Sequence, residues 1–120
     1  MLDVRSQRSA GNDLDVDGTL AVLSSQRRRI VIEYLLERQD AIPVGELVDV
    51  VTTAESNGHS HSELHRDDVR MSLHHLHLPK LSRTGMIDHD TDRGRVAATE
   101  STFAIWPYVA LARGGRSFAS

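Results

Sequence analysis

Histidine, arginine and carboxylate side chains are the groups in this chain whose types and spacing could do chemistry. Of seven histidines, His61 and His65 stand four apart and His74 and His77 three apart, spacings that can bring two imidazoles to one metal ion on a helix. There is no cysteine, which excludes thiolate zinc sites, disulfides and cysteine nucleophiles together. His59 and His61 fall in a polar loop. His77 flanks an apolar stripe, where a packed histidine donating to a carbonyl is the ordinary outcome. The expectation is therefore no metal and no cofactor. Ser72 with His75 three residues on is the nearest thing to a catalytic dyad, but nothing orients the imidazole. A nucleophile elbow and a glycine-rich phosphate loop are both missing, and the carboxylates are spread over solvated positions. No catalysis is expected.

The arginine run Arg27-Arg28-Arg29 resembles a phosphate-binding patch at first sight. On a helical wheel, however, Arg27 lies on the apolar face with Leu23, Ile30, Val31, Tyr34 and Leu35. Its stem should pack inward and its head should bond to a carbonyl or a carboxylate. Arg28 and Arg29 should point outward.

The elements that hold these groups follow from periodicity. Residues 1–18 are polar and aperiodic and read as a disordered N-terminal arm, with Arg5 and Arg8 as its cations. One domain, residues 19–113, should follow, and residues 114–120 should be a flexible tail. Its first helix is expected over Leu20–Arg38, with Ser24 or Ser25 as an N-cap that splits off a turn or marks the true start. After a turn over 39–42, Pro43 suits the first position of a second helix, whose stripe is Val44, Leu47, Val48 and Val51. The polar loop Glu55–Ser62 leads to a third helix capped by Ser62, with Asp67 and Asp68 near its positive end. Val69, Leu73 and Leu76 are its inward stripe, Pro79 should kink its last turn, and Gly85 should stop it. Met86–His89 and Arg95–Thr99 read as paired strands around the turn Asp90–Gly94, a wing spanning about 86–99. A closing helix of about 101–112 completes the domain.

Composition narrows the class. A net charge of −3 argues against a general nucleic-acid coat protein. Lys80 is the only lysine beside thirteen arginines, and aspartate outnumbers glutamate eleven to six. That balance is similar to proteins of salt-loving archaea, although a GC-rich genome would also give it. At ~1 M salt the Debye length is only about 3 Å, so phosphate contacts would weaken. No apolar run approaches the ~20 residues that span a bilayer, and no signal pattern opens the chain, so the expected place is the cytoplasm.

Three helices followed by a hairpin give a mainly α fold with a small antiparallel β-hairpin, the order of a winged helix-turn-helix. The local text carries a resemblance. LSSQRRRIVIEYLLE (Leu23–Glu37) resembles the opening helix of arsenical-repressor-like regulators, with Arg27 and Ile30 on the matching positions. HLPKLSRTGMID (His77–Asp88) resembles the end of their recognition helix and the start of the wing. More narrowly, LSxxRRRxV, HxHLPKL and the DRG of Asp92–Gly94 look like a haloarchaeal winged-helix domain family of uncharacterised function. The resemblance implies a DNA-binding transcription regulator of a kind that is often dimeric; the apolar closing helix should pack on the core or on a second subunit, and in a homodimer Phe103–Leu111 would form part of the interface. The recognition surface it implies is Asp68, Arg70, Met71, Ser72 and His75, and the wing would offer Arg93 and Arg95 to double-stranded DNA. It names no effector. One feature departs from the pattern: a helix opening on Asp67 and Asp68 is a poor start for phosphate contact. The alternative is a winged helix that binds protein, its acidic opening meeting a basic surface.

Overall fold

The computed structural model describes residues 16–57 and 62–119, with side chains through Leu111. A helix over residues 16–23 (α1) precedes α2 (Gln26–Arg38), strand β1 (Ile42–Pro43) and α3 (Val44–Glu55). A continuous helical rod follows, made of α4 (Glu63–Ser72), a π-helical segment (Leu73–His77) and α5 (Leu78–Arg83). Strands β2 (Ile87–Asp90) and β3 (Arg95–Ala98) form a hairpin, and α6 (Glu100–Ala119) closes the order. The described part is mainly helical with one small antiparallel sheet, as the patterning predicts. Residues 1–15 of the expected arm lie outside the described residues, but Val16, Asp17 and Gly18 already belong to α1.

Ser25 decides how the first helical stretch divides. Its backbone is extended, and its hydroxyl accepts the Arg28 N–H at 3.2 Å. That satisfies one of the orphan donors that open a helix. The stretch from Leu20 is thus two helices. Gly18 of α1 lies against Met86, where a Cβ would strike the Met86 side chain.

The turn expected over 39–42 contains a strand. Ile42 faces Val96 and Pro43 faces Arg95, giving a three-stranded sheet in the order β1-β3-β2. Two residues are too few to show a period of two. Pro43 has no N–H to donate, which suits an edge strand. It therefore sits one residue before α3 instead of opening it, and the Val44 N–H donates to the Gly94 carbonyl at 2.9 Å. The hairpin pairs Ile87 with Ala98 and Asp90 with Arg95 around a turn at 91–94.

The helical rod departs from ideal geometry where Pro79 forces it to. A proline lacks the N–H and crowds the carbonyl four residues back. Here the helix widens just before it, and the Leu78 N–H reaches back five residues to the Leu73 carbonyl. The wider turn shifts the phase of everything after it. Val69 and Leu73 are fully buried as expected, but Leu76 is turned out to 56% exposure, while His77 and Leu78 turn in. The kink expected in the last turn is thus a π-segment one turn earlier.

Gly85 ends the rod at φ 79°, a left-handed value that favours glycine. Its N–H donates to Ser82 and the Met86 N–H to Leu81, at 3.1 and 2.9 Å. These are the two bonds of a Schellman stop, closed by burial of Met86 and Leu81. Thr99 and Thr102 then tie the start of α6 to the same corner. The Thr99 hydroxyl donates to the Gly85 carbonyl at 2.6 Å and the Thr102 hydroxyl to that of Met86. One core results, in which Val31, Ile32 and Leu35 of α2 meet α3, the rod, Val96 of the sheet, and Ile105 and Val109 of α6. Pro107 lies inside α6, which runs on through Ala119, past the end expected near 112 and into the expected tail. Among the described residues no helix is long and apolar enough to cross a membrane.

Candidate functional site

The third helix was expected to present a reading surface, and α4 does divide its side chains between neighbouring helices and solvent. On the neighbour side, Arg27 of α2 is the organiser. Its Nε and Nη2 donate to the two oxygens of Glu55 at 2.5 and 2.9 Å. Nη2 also reaches Asp68 at 3.1 Å, and Nη1 donates to the Ser72 hydroxyl at 2.7 Å. His65 Nε2 lies 2.9 Å from Glu55 Oε1, and Arg66 bonds to Asp49 of α3. One guanidinium therefore joins α2, the end of α3 and two turns of α4. The fork bond from Arg27 holds the Glu55 carboxyl below the usual carboxylate range, against the opposing pull of burial.

This network redraws the expected reading surface. Ser72 faces Arg27 and is half-buried, so it leaves the set. Asp68 is exposed but turns one oxygen to Arg27. Arg70, Met71 and His75 are exposed, as are Leu64, Asp67 and His74 on the same rod. Leu64 at 81% and Met71 at 60% exposure put two apolar side chains among the charges there. The acid at the helix opening is Glu63; Asp67 and Asp68 lie a turn further on.

Arg28 corrects a second expectation. Instead of pointing outward it is buried, and its Nε donates to the Ala21 carbonyl at 2.5 Å. Nη2 donates to Ser24 at 2.8 Å, and Nη1 lies 3.0 Å from His77 Nδ1. A guanidinium has only donors, so His77 accepts here instead of donating to a carbonyl. Burial, then the positive charge of Arg28, pushes the His77 imidazole below its ordinary pKa. The sign of the consequence follows. In the unfolded chain His77 takes up its proton near pH ~6.5, while the folded state resists it. The neutral contact thus costs nothing above that pH, and stability falls as pH drops from there toward the depressed folded value. Melting temperatures measured from pH 7.5 to 5.5 should fall, and should fall less in His77→Gln, whose amide oxygen also accepts from Arg28.

Arg93 stands in the β2–β3 turn and Arg95 opens β3. Arg93 is largely exposed, its N–H donating to Asp90 at 3.2 Å and its Nε 4.0 Å from the same carboxylate. Arg95 is exposed and donates to the Ala41 carbonyl at 3.4 Å. Asp88, Asp90 and Asp92 share the hairpin, so its field is mixed in sign. Arg38 bonds to Glu46 and Arg29 to the Leu23 carbonyl. Arg27, Arg28 and Arg66 likewise serve as internal ties. The wheel of one helix could place Arg27 inward but not say that its partners would be Glu55, Asp68 and Ser72.

For metal binding, His61 lies outside the described residues, so the pair His61–His65 is not described. His74 is exposed while His77 is buried against Arg28. Among the described residues no group of three or more histidines or carboxylates is arranged to hold a metal ion.

Comparison with known proteins adds one positive finding. No curated protein and no solved structure matches the chain. A model described as a domain of unknown function, DUF7344, matches residues 20–97, from the end of α1 through most of β3. That match covers more than half of the chain, which therefore belongs to the DUF7344 family.

Proposed function

We propose that the domain is a winged helix-turn-helix that binds double-stranded DNA as a transcription regulator, without catalysis and in the cytoplasm. The order of elements supports this reading most: helix, short strand, helix, helix, hairpin, with the sheet ordered β1-β3-β2. In that arrangement the rod is the recognition helix and the β2–β3 hairpin the wing. The reading residues are Arg70, Met71 and His75, with His74 beside them, and Arg93 and Arg95 provide the phosphate contacts. The protein works as a homodimer, and α6 splits its exposed apolar residues between two places. Tyr108 sits with Val16 and Leu20 of α1 around one concavity, and Leu111 is exposed one turn on, a surface suited to a second copy. Phe103 lies instead with Trp106 in a groove against α2.

Arg93→Ala and Arg95→Ala test the wing. Each should weaken binding to all sequences alike and reduce the salt slope of log K by about 1, as the loss of one phosphate contact does. Unchanged affinity and slope in both variants would remove the wing from the interface.

A second reading is favoured by a specific observation. Glu63, Asp67 and Asp68 accompany exposed Leu64 and Met71 on α4. Such a mixture of acid and apolar surface fits a basic protein partner better than a phosphate backbone. On this reading Leu64→Glu and Met71→Glu abolish partner capture while leaving any DNA affinity at the wing intact.

A further inference from the structure

Arg28 and His77 are 8% and 7% exposed, yet the guanidinium has no carboxylate among its three acceptors. These are the Ala21 carbonyl, the Ser24 hydroxyl and His77 Nδ1; Arg27 beside it has Glu55. A buried positive charge held only by neutral acceptors leaves no place for a second one. Geometry sets a stricter limit. Arg28 Nη1 donates to Nδ1 across 3.0 Å, so a proton on Nδ1 would set donor against donor.

What gives way depends on how each partner is held. His77 ends the π-segment inside a continuous rod, where Leu73, Leu78 and Leu81 are fully buried. The weak party is α1, residues 16–23, whose sequence VDGTLAVL contains Gly18 and three β-branched residues. A helix so short and so composed does not hold itself in water. Its seat consists of buried Ala21 and Val22, the approach of Gly18 to Met86, and Arg28. One planar head makes the Ala21, Ser24 and His77 bonds together, so turning it away from His77 gives up the bonds to Ala21 and Ser24 as well.

We propose that Arg28 and His77 form a proton-operated latch on α1: a proton on His77 expels the Arg28 head and frees α1, while α2, α3 and the rod keep their packing. Burial, then Arg28 and Arg27 of α2, oppose that proton, and Glu55 at the end of α3 favours it. On the rod His74 and His75 are exposed, and Lys80 lines a concavity with Asp17, Ala21 and Ser24. In the freed state His77 titrates near its ordinary value of about 6.5, and in the latched state below it. Opening of α1 therefore becomes more frequent as pH falls below ~6.5, until the depressed value is reached. Val16 and Leu20 of α1 line the concavity assigned to a second copy, so on the homodimer reading the latch makes that surface depend on pH. The latch itself does not rest on that reading.

Residue-resolved amide hydrogen exchange, corrected for intrinsic rates and read at pH 7.5 and 5.5 in low concentrations of urea, tests the latch. The amides of residues 20–24 report on α1, among them that of Ser24, which donates to the Leu20 carbonyl; those of Leu47 and Val48 report on the core. In the parent protein the α1 amides should exchange through an opening that low urea does not promote, and that opening should be up to about tenfold more frequent at pH 5.5. In His77→Gln, whose amide oxygen still accepts from Arg28 but does not titrate, its frequency should not change with pH. Two results in the parent alone would overturn the proposal: an opening of α1 independent of pH, or α1 amides sharing the urea dependence of Leu47 and Val48, because α1 would then move only with the whole fold. An equal acceleration in folded His77→Gln would also overturn it, by placing the proton elsewhere.

Discussion

Leu73→Ala should lower the free energy of unfolding by about 2–5 kcal/mol, the usual cost of truncating a fully buried leucine. Urea denaturation followed by circular dichroism measures it. Leu73 is 0% exposed at the point where α4 passes into the π-segment, in the core shared with Leu35 and Leu47. The comparison that makes this informative is Leu76→Ala. A regular α-helix through Pro79 would carry Leu76 inward with Val69 and Leu73, and its loss would cost a similar amount. The observed widening turns Leu76 out to 56% exposure, so its truncation should stay within about 0.5 kcal/mol. Comparable costs for the two leucines would mean that the rod runs as an unbroken α-helix.

Arg27→Met is expected to have the next largest effect. Methionine keeps much of the packing stem and removes every bond to Glu55, Asp68 and Ser72. Hydrogen bonds to charged groups contribute roughly 1.5–3 kcal/mol each where they are desolvated. Here the Arg27 and Glu55 side chains are 21% and 22% exposed, so solvent screening offsets part of the sum. A total of about 2–3 kcal/mol is expected. The pH dependence identifies the cause. Glu55 is held below the ordinary carboxylate pKa of about 4.3. Its contribution is therefore complete above that value and is lost as pH falls through the depressed folded value. Stability curves of the parent and Arg27→Met should converge on acidification, whereas a constant gap down to pH 2 would place the effect in packing instead.

The legible parts of the fold were those fixed by local chemistry. The α3 stripe of Val44, Leu47, Val48 and Val51, the Ser62 cap and the Gly85 stop depend only on nearby residues, and each stands as its neighbours imply. The hairpin turn ending at Gly94 is of the same kind. Long-range partners were not legible. Ile42–Pro43 is a strand only because β3 lies beside it, and nothing in two residues announces that. Arg28 is buried because His77, 49 positions later, offers an acceptor. The π-segment moved Leu76 and His77 across the helix surface, although Pro79 had signalled a disturbance somewhere near. In the candidate site, Arg70, Met71 and His75 are outward as their helical phase requires. Asp68 and Ser72 share the phase that faces α2, and only the position of Arg27 shows that they belong to a structural tie.

Gel retardation of sheared genomic fragments, run at matched high salt on protein verified as folded by circular dichroism, tests the central proposal most directly. A winged-helix DNA reader should retain a subset of fragments, and Arg70→Ala should relax that selection while Arg93→Ala weakens retention of all. No retention of any fragment by the folded protein, down to low salt, would contradict DNA binding and leave the acidic and apolar face of α4 as a surface for protein.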